Sequence, residues 1–140
     1  TAWTLVEPAP NILPPIPLDA CTPGWAEIHG AFDFIFLANL LHLIPDTPAR
    51  TCLTEIANAV APGGLAVVYG PFLRGGRTTS EGDAAFDAQI RADTPGAGYK
   101  DLNWVLDHWT DVGLQPAAPI DMPANNLLLS ARKPHKRAVT

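Results

Sequence analysis

The chain has 140 residues, 47% of them hydrophobic and 16% charged, which fits one globular domain with a buried core and is too short for two. Its net charge of -5 argues against general affinity for nucleic acid, which depends on clustered Lys and Arg neutralising phosphates. No apolar run approaches the roughly 20 residues of a bilayer span, and Cys21 and Cys52 form neither a CxxC pair nor part of a His-rich set, so no membrane contact, disulfide framework or metal site is expected and the expected location is cytoplasmic.

Residues 1–11 are Pro-rich and aperiodic and do not begin with Met, as expected of a sequence that starts within something larger. Residues 12–18, interrupted by Pro14, Pro15 and Pro17, read as at best a short strand ending at Asp19. Residues 21–30 hold turn formers and one aromatic, Trp25. Residues 32–37 form a nearly continuous apolar run, the pattern of a central strand buried on both faces of a parallel sheet.

Residues 38–44 continue that run, and Pro45-Asp46-Thr47-Pro48 supplies a turn and an N-cap. A helix is predicted over 49–60, because Leu53, Ile56, Ala57 and Val60 share one face of a 3.6-residue period. Pro62-Gly63-Gly64 stops it, and residues 65–69 form a second buried strand. This is a βαβ unit, and the class is α/β.

Residues 70–83 are rich in Gly and polar side chains and too long for a plain connector, which marks a functional loop. A helix begins near Ala84, capped by Ser80 or Asp83 and carrying Phe86 and Ile90 on one face. Another spans 101–112 with Leu102, Val105, Leu106 and Trp109 on one side and Gly113 at its end. Residues 115–121 and 126–131 then read as an antiparallel strand pair around the MPAN turn. Lys133, His135, Lys136 and Arg137 read as a solvated tail, giving a domain over 1–132 and a basic tail over 133–140.

In open α/β sheets ligands bind beyond the carboxyl ends of the strands, which selects Asp19, Ala20, Ala38, Asn39, His42, Tyr69, Phe72, Arg74, Arg77, Asn125 and Asn126. Asp19 could accept from an exocyclic amine, or bond its own turn. Asn39 and His42 lie three apart and would face one pocket if that segment were helical, with His42 either a ligand or a core histidine. Arg74 and Arg77 flank Gly75-Gly76 as guanidinium forks for a carboxylate or phosphate, or as a solvated turn. No GxSxG, HExxH or GxxxxGK[ST] occurs, so nucleophile hydrolases, zinc proteases and P-loop enzymes lose their main support.

The runs FDFIFLANLLHLIP, APGGLAVVYGPF, RGGRTTSEGDAAFDAQIRADTPGAGYKDL and MPANNLLL together resemble the DUF938 family, methyltransferase-like proteins also called the UPF0585 or methyltransferase-like 26 group, over about 12–132. The resemblance implies the Rossmann-like class I methyltransferase fold, with strand order three, two, one, four, five, seven, six. Its first two strands, with their Gly-rich turn and acidic ribose ligand, would be missing here, in a parent protein of roughly 200 residues. It implies S-adenosylmethionine as cofactor, with Asp19 and Ala20 at the adenine and Ala38, Asn39 and His42 near the methionine part. A small acceptor would be met by Tyr69, Phe72, Arg74, Arg77 and Asn125, with His42 or Tyr69 moving a proton. Two other readings stay open: a non-catalytic binding domain on the same scaffold, and a nicotinamide oxidoreductase, which would need a GxGxxG turn absent from these residues.

Overall fold

A computed structural model of the chain describes residues 10–135. The opening nine residues, and Lys136 and Arg137 of the basic run, lie outside them. The elements in chain order are helix α1 (Trp25–His29), strand β1 (Phe32–Ala38), a 3-10 turn (Leu41–Leu43), helix α2 (Asp46–Ala59), strand β2 (Val60–Gly70), helix α3 (Glu81–Asp93), helix α4 (Leu102–Asp111), strands β3 (Gln115–Pro116) and β4 (Ile120–Met122), a 3-10 turn (Pro123–Asn125) and strand β5 (Asn126–Arg132).

The sheet runs β1-β2-β5-β3, with β4 also paired to β5. β1 and β2 are parallel, while β5 is antiparallel to β2, β3 and β4. The last strand is therefore inserted between elements that precede it, the order the class I methyltransferase resemblance implies for strands four, five, seven and six. α2 and α4 cover one face of the sheet, where Leu53, Ile56, Val105 and Trp109 pack with Ala66, Val68, Leu129 and Ala131. Each fully buried Leu or Val there contributes about 2 kcal/mol of apolar burial.

Several sequence expectations are corrected. Residues 12–18 form no strand: their prolines lack donors and their side chains are exposed. Residues 21–30 contain α1, whose start is held by the buried Glu55 carboxylate accepting from Gly24 N at 2.8 Å and Ala26 N at 3.1 Å. Residues 32–37 are not buried on both faces. Among the described residues β1 is an edge strand paired only to β2; Ile35 and Leu37 join the core, whereas Phe32, Phe34 and Phe36, on the opposite face, are 43%, 56% and 54% exposed.

The Pro62-Gly63-Gly64 break lies inside β2, not between helix and strand, because the backbone is already extended at Val60. Phe32 pairs with Val60 and Phe34 with Leu65, so the additional residues bulge. Gly64 permits this, since a Cβ there would sit 2.9 Å from Asp33 O. The weakly patterned segment 115–121 splits into β3 and β4, both antiparallel to β5. The ladder also runs one residue beyond Arg132: Lys133 N donates to Gly64 O at 3.0 Å, and its Nζ donates to Ala57 O at 3.1 Å.

Candidate functional site

At the carboxyl ends of the parallel strands Ala38 pairs with Tyr69, and Asn39 N donates to Tyr69 O at 2.9 Å. Asn39 adopts φ 57°, a left-handed conformation that asparagine tolerates, and turns the chain off the strand. Asn126, at the start of β5, donates through Nδ2 to the Tyr69 hydroxyl at 3.1 Å. Ala38, Asn39, Tyr69 and Asn126 thus form a shallow shelf, with Ala38 and Asn39 exposed.

His42 does not follow Asn39 in helical register, because the left-handed Asn39 precedes the 3-10 turn. Its ring is only 6% exposed and meets Phe86 at 5.7 Å and Tyr99 at 6.0 Å, both edge-on. Burial first, and then the nearby Lys100 charge, holds this imidazole below its ordinary range and keeps it neutral at pH 7. Lys100 is itself buried, donating to Ile44 O at 2.7 Å and Gly98 O at 2.9 Å, with Asp46 at 3.5 Å.

Asp19 closes a turn on itself: Oδ1 accepts from Cys21 N at 3.0 Å and Oδ2 from the Thr22 hydroxyl at 2.9 Å. The carboxylate is exposed, and each oxygen keeps further acceptor capacity. The half-buried Ala20 carbonyl accepts from Trp25 Nε1 at 3.1 Å, which fastens the turn to α1.

The loop after β2 is a built structure. Phe72 is 4% exposed and belongs to the core, so its ring offers no binding surface. Arg74 donates through Nη1 to Thr79 Oγ1 at 2.8 Å and Asn125 Oδ1 at 2.9 Å, and through Nη2 to Asn125 O at 3.3 Å; its buried Nε has no partner. Arg74 N donates to Arg77 O across Gly75-Gly76, both glycines at positive φ, leaving the Arg77 side chain exposed at the tip. The two arginines predicted to act together therefore have different surroundings.

Asn125, at φ 59°, joins this loop to α3: its Nδ2 donates to Thr79 Oγ1 at 2.6 Å and Asp83 Oδ2 at 2.7 Å. Asp83 Oδ1 accepts from the Tyr99 hydroxyl at 2.7 Å. Burial alone would raise the Asp83 carboxyl, but hydrogen bonds from Ser80, Asn125 and Tyr99 and the Arg74 charge outweigh it and hold the group below its usual range. Tyr99 is pushed above its usual range by burial and by the Asp83 carboxylate it serves as donor. Sequence reasoning found Asp83 only as a cap and missed Thr79, Tyr99 and Lys100; a lysine inside Gly98-Tyr99-Lys100-Asp101, next to an apolar helix, was the one available signal.

Asp19 thus presents an exposed carboxylate acceptor, and Ala38 and Asn39 an open shelf. Among the described residues no group of three or more His, Cys, Asp or Glu is arranged to hold a metal ion, and no helix is long and apolar enough to cross a membrane.

A family model described as "Protein of unknown function (DUF938)" matches residues 1–133. Among solved structures, an O-methyltransferase family protein from Burkholderia thailandensis superposes with TM-score 0.69 at 22% identity over 80% of this chain and 34% of its own. An O-methyltransferase family 2 protein from Planctomyces limnophilus, in complex with apigenin, gives 0.67 at 17% identity over 75% of this chain and 32% of its own. Human N-acetylserotonin methyltransferase in complex with SAM gives 0.64 at 20% identity over 73% and 29%. The chain thus spans about a third of the length of the structures it matches, and the likeness is one of fold.

Proposed function

The chain belongs to the DUF938 family, and on that premise we propose that it forms part of a cytoplasmic S-adenosylmethionine-dependent methyltransferase acting on a small acceptor. The observation that carries this reading is the sheet: parallel β1 and β2, with antiparallel β5 inserted before β3. That arrangement leaves the carboxyl ends of β1 and β2 as the ligand edge. In this reading the open edge of β1 and its Phe32, Phe34 and Phe36 face are covered by polypeptide outside the described residues, since parallel sheets are normally buried on both faces.

When bound, the cofactor supplies a methyl group on a sulfonium for in-line displacement, so holding the reactants in line provides most of the catalysis. Asp19 accepts from the adenine amine with Ala20 beside it, and Ala38 and Asn39 border the methionine part. Tyr69 faces the acceptor; because its oxygen already accepts from Asn126, its own proton is available to donate and to relay. Arg77 is free to orient an anionic acceptor, whereas Arg74 and Asn125 frame the pocket. His42, neutral and enclosed, shapes its wall.

A non-catalytic binding domain is the second reading, favoured by the Asp19 carboxylate being engaged by its own turn and Arg74 by Asn125 and Thr79. Calorimetric titration of S-adenosylhomocysteine into this chain and into a form extended at its amino end separates the two. Binding to the extended form, weakened by Asp19→Ala, supports the methyltransferase reading. No heat with either form refutes it and favours the scaffold.

A further inference from the structure

α3 is attached to the rest of the chain differently from its neighbours. α2 buries Cys52, Leu53 and Ile56, and α4 buries Val105 and Trp109, all in the main core, whereas among the described residues Ile90 is the one buried side chain of α3. Ile90 belongs to a separate small cluster with Ala97 and Tyr99, against which the half-buried Leu73 packs. Ala84, Ala85, Phe86 and Ala88 on the same helix are exposed. Much of what holds α3 is polar and sits in its first two turns. Asp83 accepts from the Tyr99 hydroxyl and from Asn125 Nδ2, both at 2.7 Å, and Asp87 accepts from Tyr99 N at 2.8 Å. Such bonds are exchanged for bonds to water when they break, so each adds only modestly to the closed state.

The two ends of this segment are fixed where it leaves the sheet. Leu73 N donates to Lys100 O at 2.8 Å and Leu102 N to Leu73 O at 3.0 Å, so residues 74–99 form an excursion closed at its base. Within it, Gly75 and Gly76 before α3 and Gly96 after it hold positive φ, and a Cβ at Gly75 or Gly76 would meet nothing within 4 Å. The connections on both sides of the helix can therefore turn with little steric resistance. The floor beneath the helix is held more firmly: Gly98 N donates to His42 O at 3.1 Å, and Lys100 Nζ to Ile44 O at 2.7 Å. The His42 ring touches both layers, edge-on to Tyr99 of the floor and to Phe86 of the helix.

We propose that α3 is a lid that lifts off the Ala97–Lys100 floor as a unit, turning on Gly75-Gly76 and Gly96 and releasing Asn125 and Tyr99, and that lifting it uncovers His42. The closed base leaves the main core intact while the lid is raised. A helix of 13 residues is marginal by itself in water, so the raised lid also loses its internal hydrogen bonds. His42 follows Asn39 of the exposed shelf by three residues, so the lid controls what reaches the wall beside that shelf. The opening stands without the proposed function; only its use, to admit an acceptor, rests on that reading.

Native-state hydrogen exchange of the full chain, followed by NMR in urea below the unfolding transition, tests the proposal. After correction for intrinsic rates, the amides of Ala85–Asp93 and Tyr99 should exchange through one shared opening, at least about tenfold faster than the amides of α2 and α4 and with a smaller dependence on urea, because less surface is exposed. Asn125→Ala should speed exchange across Ala85–Asp93 by about 30-fold, since the opening breaks two of the asparagine's hydrogen bonds, to Thr79 and Asp83. Equal rates and equal urea dependence in α2, α3 and α4 would make the three one cooperative unit and overturn the proposal. So would amides of α3 that each exchange at a rate of their own, or amides of α3 that Asn125→Ala leaves unchanged while those of α2 and α4 speed up. None of these outcomes depends on S-adenosylmethionine binding.

Discussion

Replacing Asn125 with aspartate, an almost isosteric change, should damage this protein at least as much as removing the side chain altogether. The asparagine side chain makes three hydrogen bonds: it accepts from Arg74 at 2.9 Å and donates to Thr79 at 2.6 Å and to Asp83 at 2.7 Å. At about 1 kcal/mol each for half-exposed groups, Asn125→Ala loses about 3 kcal/mol, and up to about 1 kcal/mol more for an alanine at positive φ. Asn125→Asp keeps the Arg74 contact and the tolerance of that φ. It loses both donors, however, and sets a second carboxylate against Asp83, a repulsion of about 4 kcal/mol at 4 Å in a medium of intermediate polarity, partly offset by Arg74. Urea unfolding followed by tryptophan fluorescence gives the free energies. At pH 7 the aspartate variant should be no more stable than the alanine variant, and it should regain stability as the pH is lowered and one carboxylate of the pair takes a proton. An aspartate variant within about 1 kcal/mol of the parent at pH 7 would refute the assigned orientation of the amide.

The two arginines should part company: Arg74→Ala costs about 2 kcal/mol in the same urea assay because it breaks three hydrogen bonds, whereas Arg77→Ala stays within about 0.5 kcal/mol and, if the proposed function holds, weakens an anionic acceptor without touching cofactor affinity. Stability should begin to fall as the pH drops below 6.5, where the unfolded chain protonates His42 and His108 while burial keeps the folded imidazoles neutral, and it should fall further at both extremes. The depressed Asp83 carboxyl contributes stability that is complete above its ordinary value of 3.8 and lost as pH drops through the folded one, while the raised Tyr99 contributes stability that is complete below 10.0 and lost as pH climbs; Tyr99→Phe should flatten the alkaline limb in a pH series of thermal melts. Glu55→Ala should cost about 2 kcal/mol and speed hydrogen exchange at the Gly24 and Ala26 amides; unchanged exchange there would count against its capping role.

The helices from Asp46 onward and the last strand were readable because their apolar spacing and their stops, such as Gly113 after α4, act locally, whereas the start of β2 and the division of 115–121 depend on pairing with other strands. β1 misled for a physical reason: a nearly continuous apolar run records the surroundings a strand is suited to, and among the described residues only one of its faces is covered. α1 was missed because its start is stabilised by Glu55, on another helix, which no local pattern reveals. Among the site residues, the shelf of Ala38, Asn39 and Tyr69 followed from strand ends alone. The different surroundings of Arg74 and Arg77 did not, since Arg74 is held by Asn125, and that contact exists only after the MPAN turn has reached the loop following β2.

The position of β5 has a consequence for biosynthesis. β3 and β4 are made earlier but, among the described residues, find their strand pairing only on β5, and β5 in turn pairs with β2. While the chain emerges from the ribosome, β2 can pair with β1, but the far half of the sheet has no partner until residues 126–132 have been translated. Pairing of these strands therefore waits on translation of residues 126–132, and a premature stop shortly before Asn126 would leave β3 and β4 as two unpaired segments.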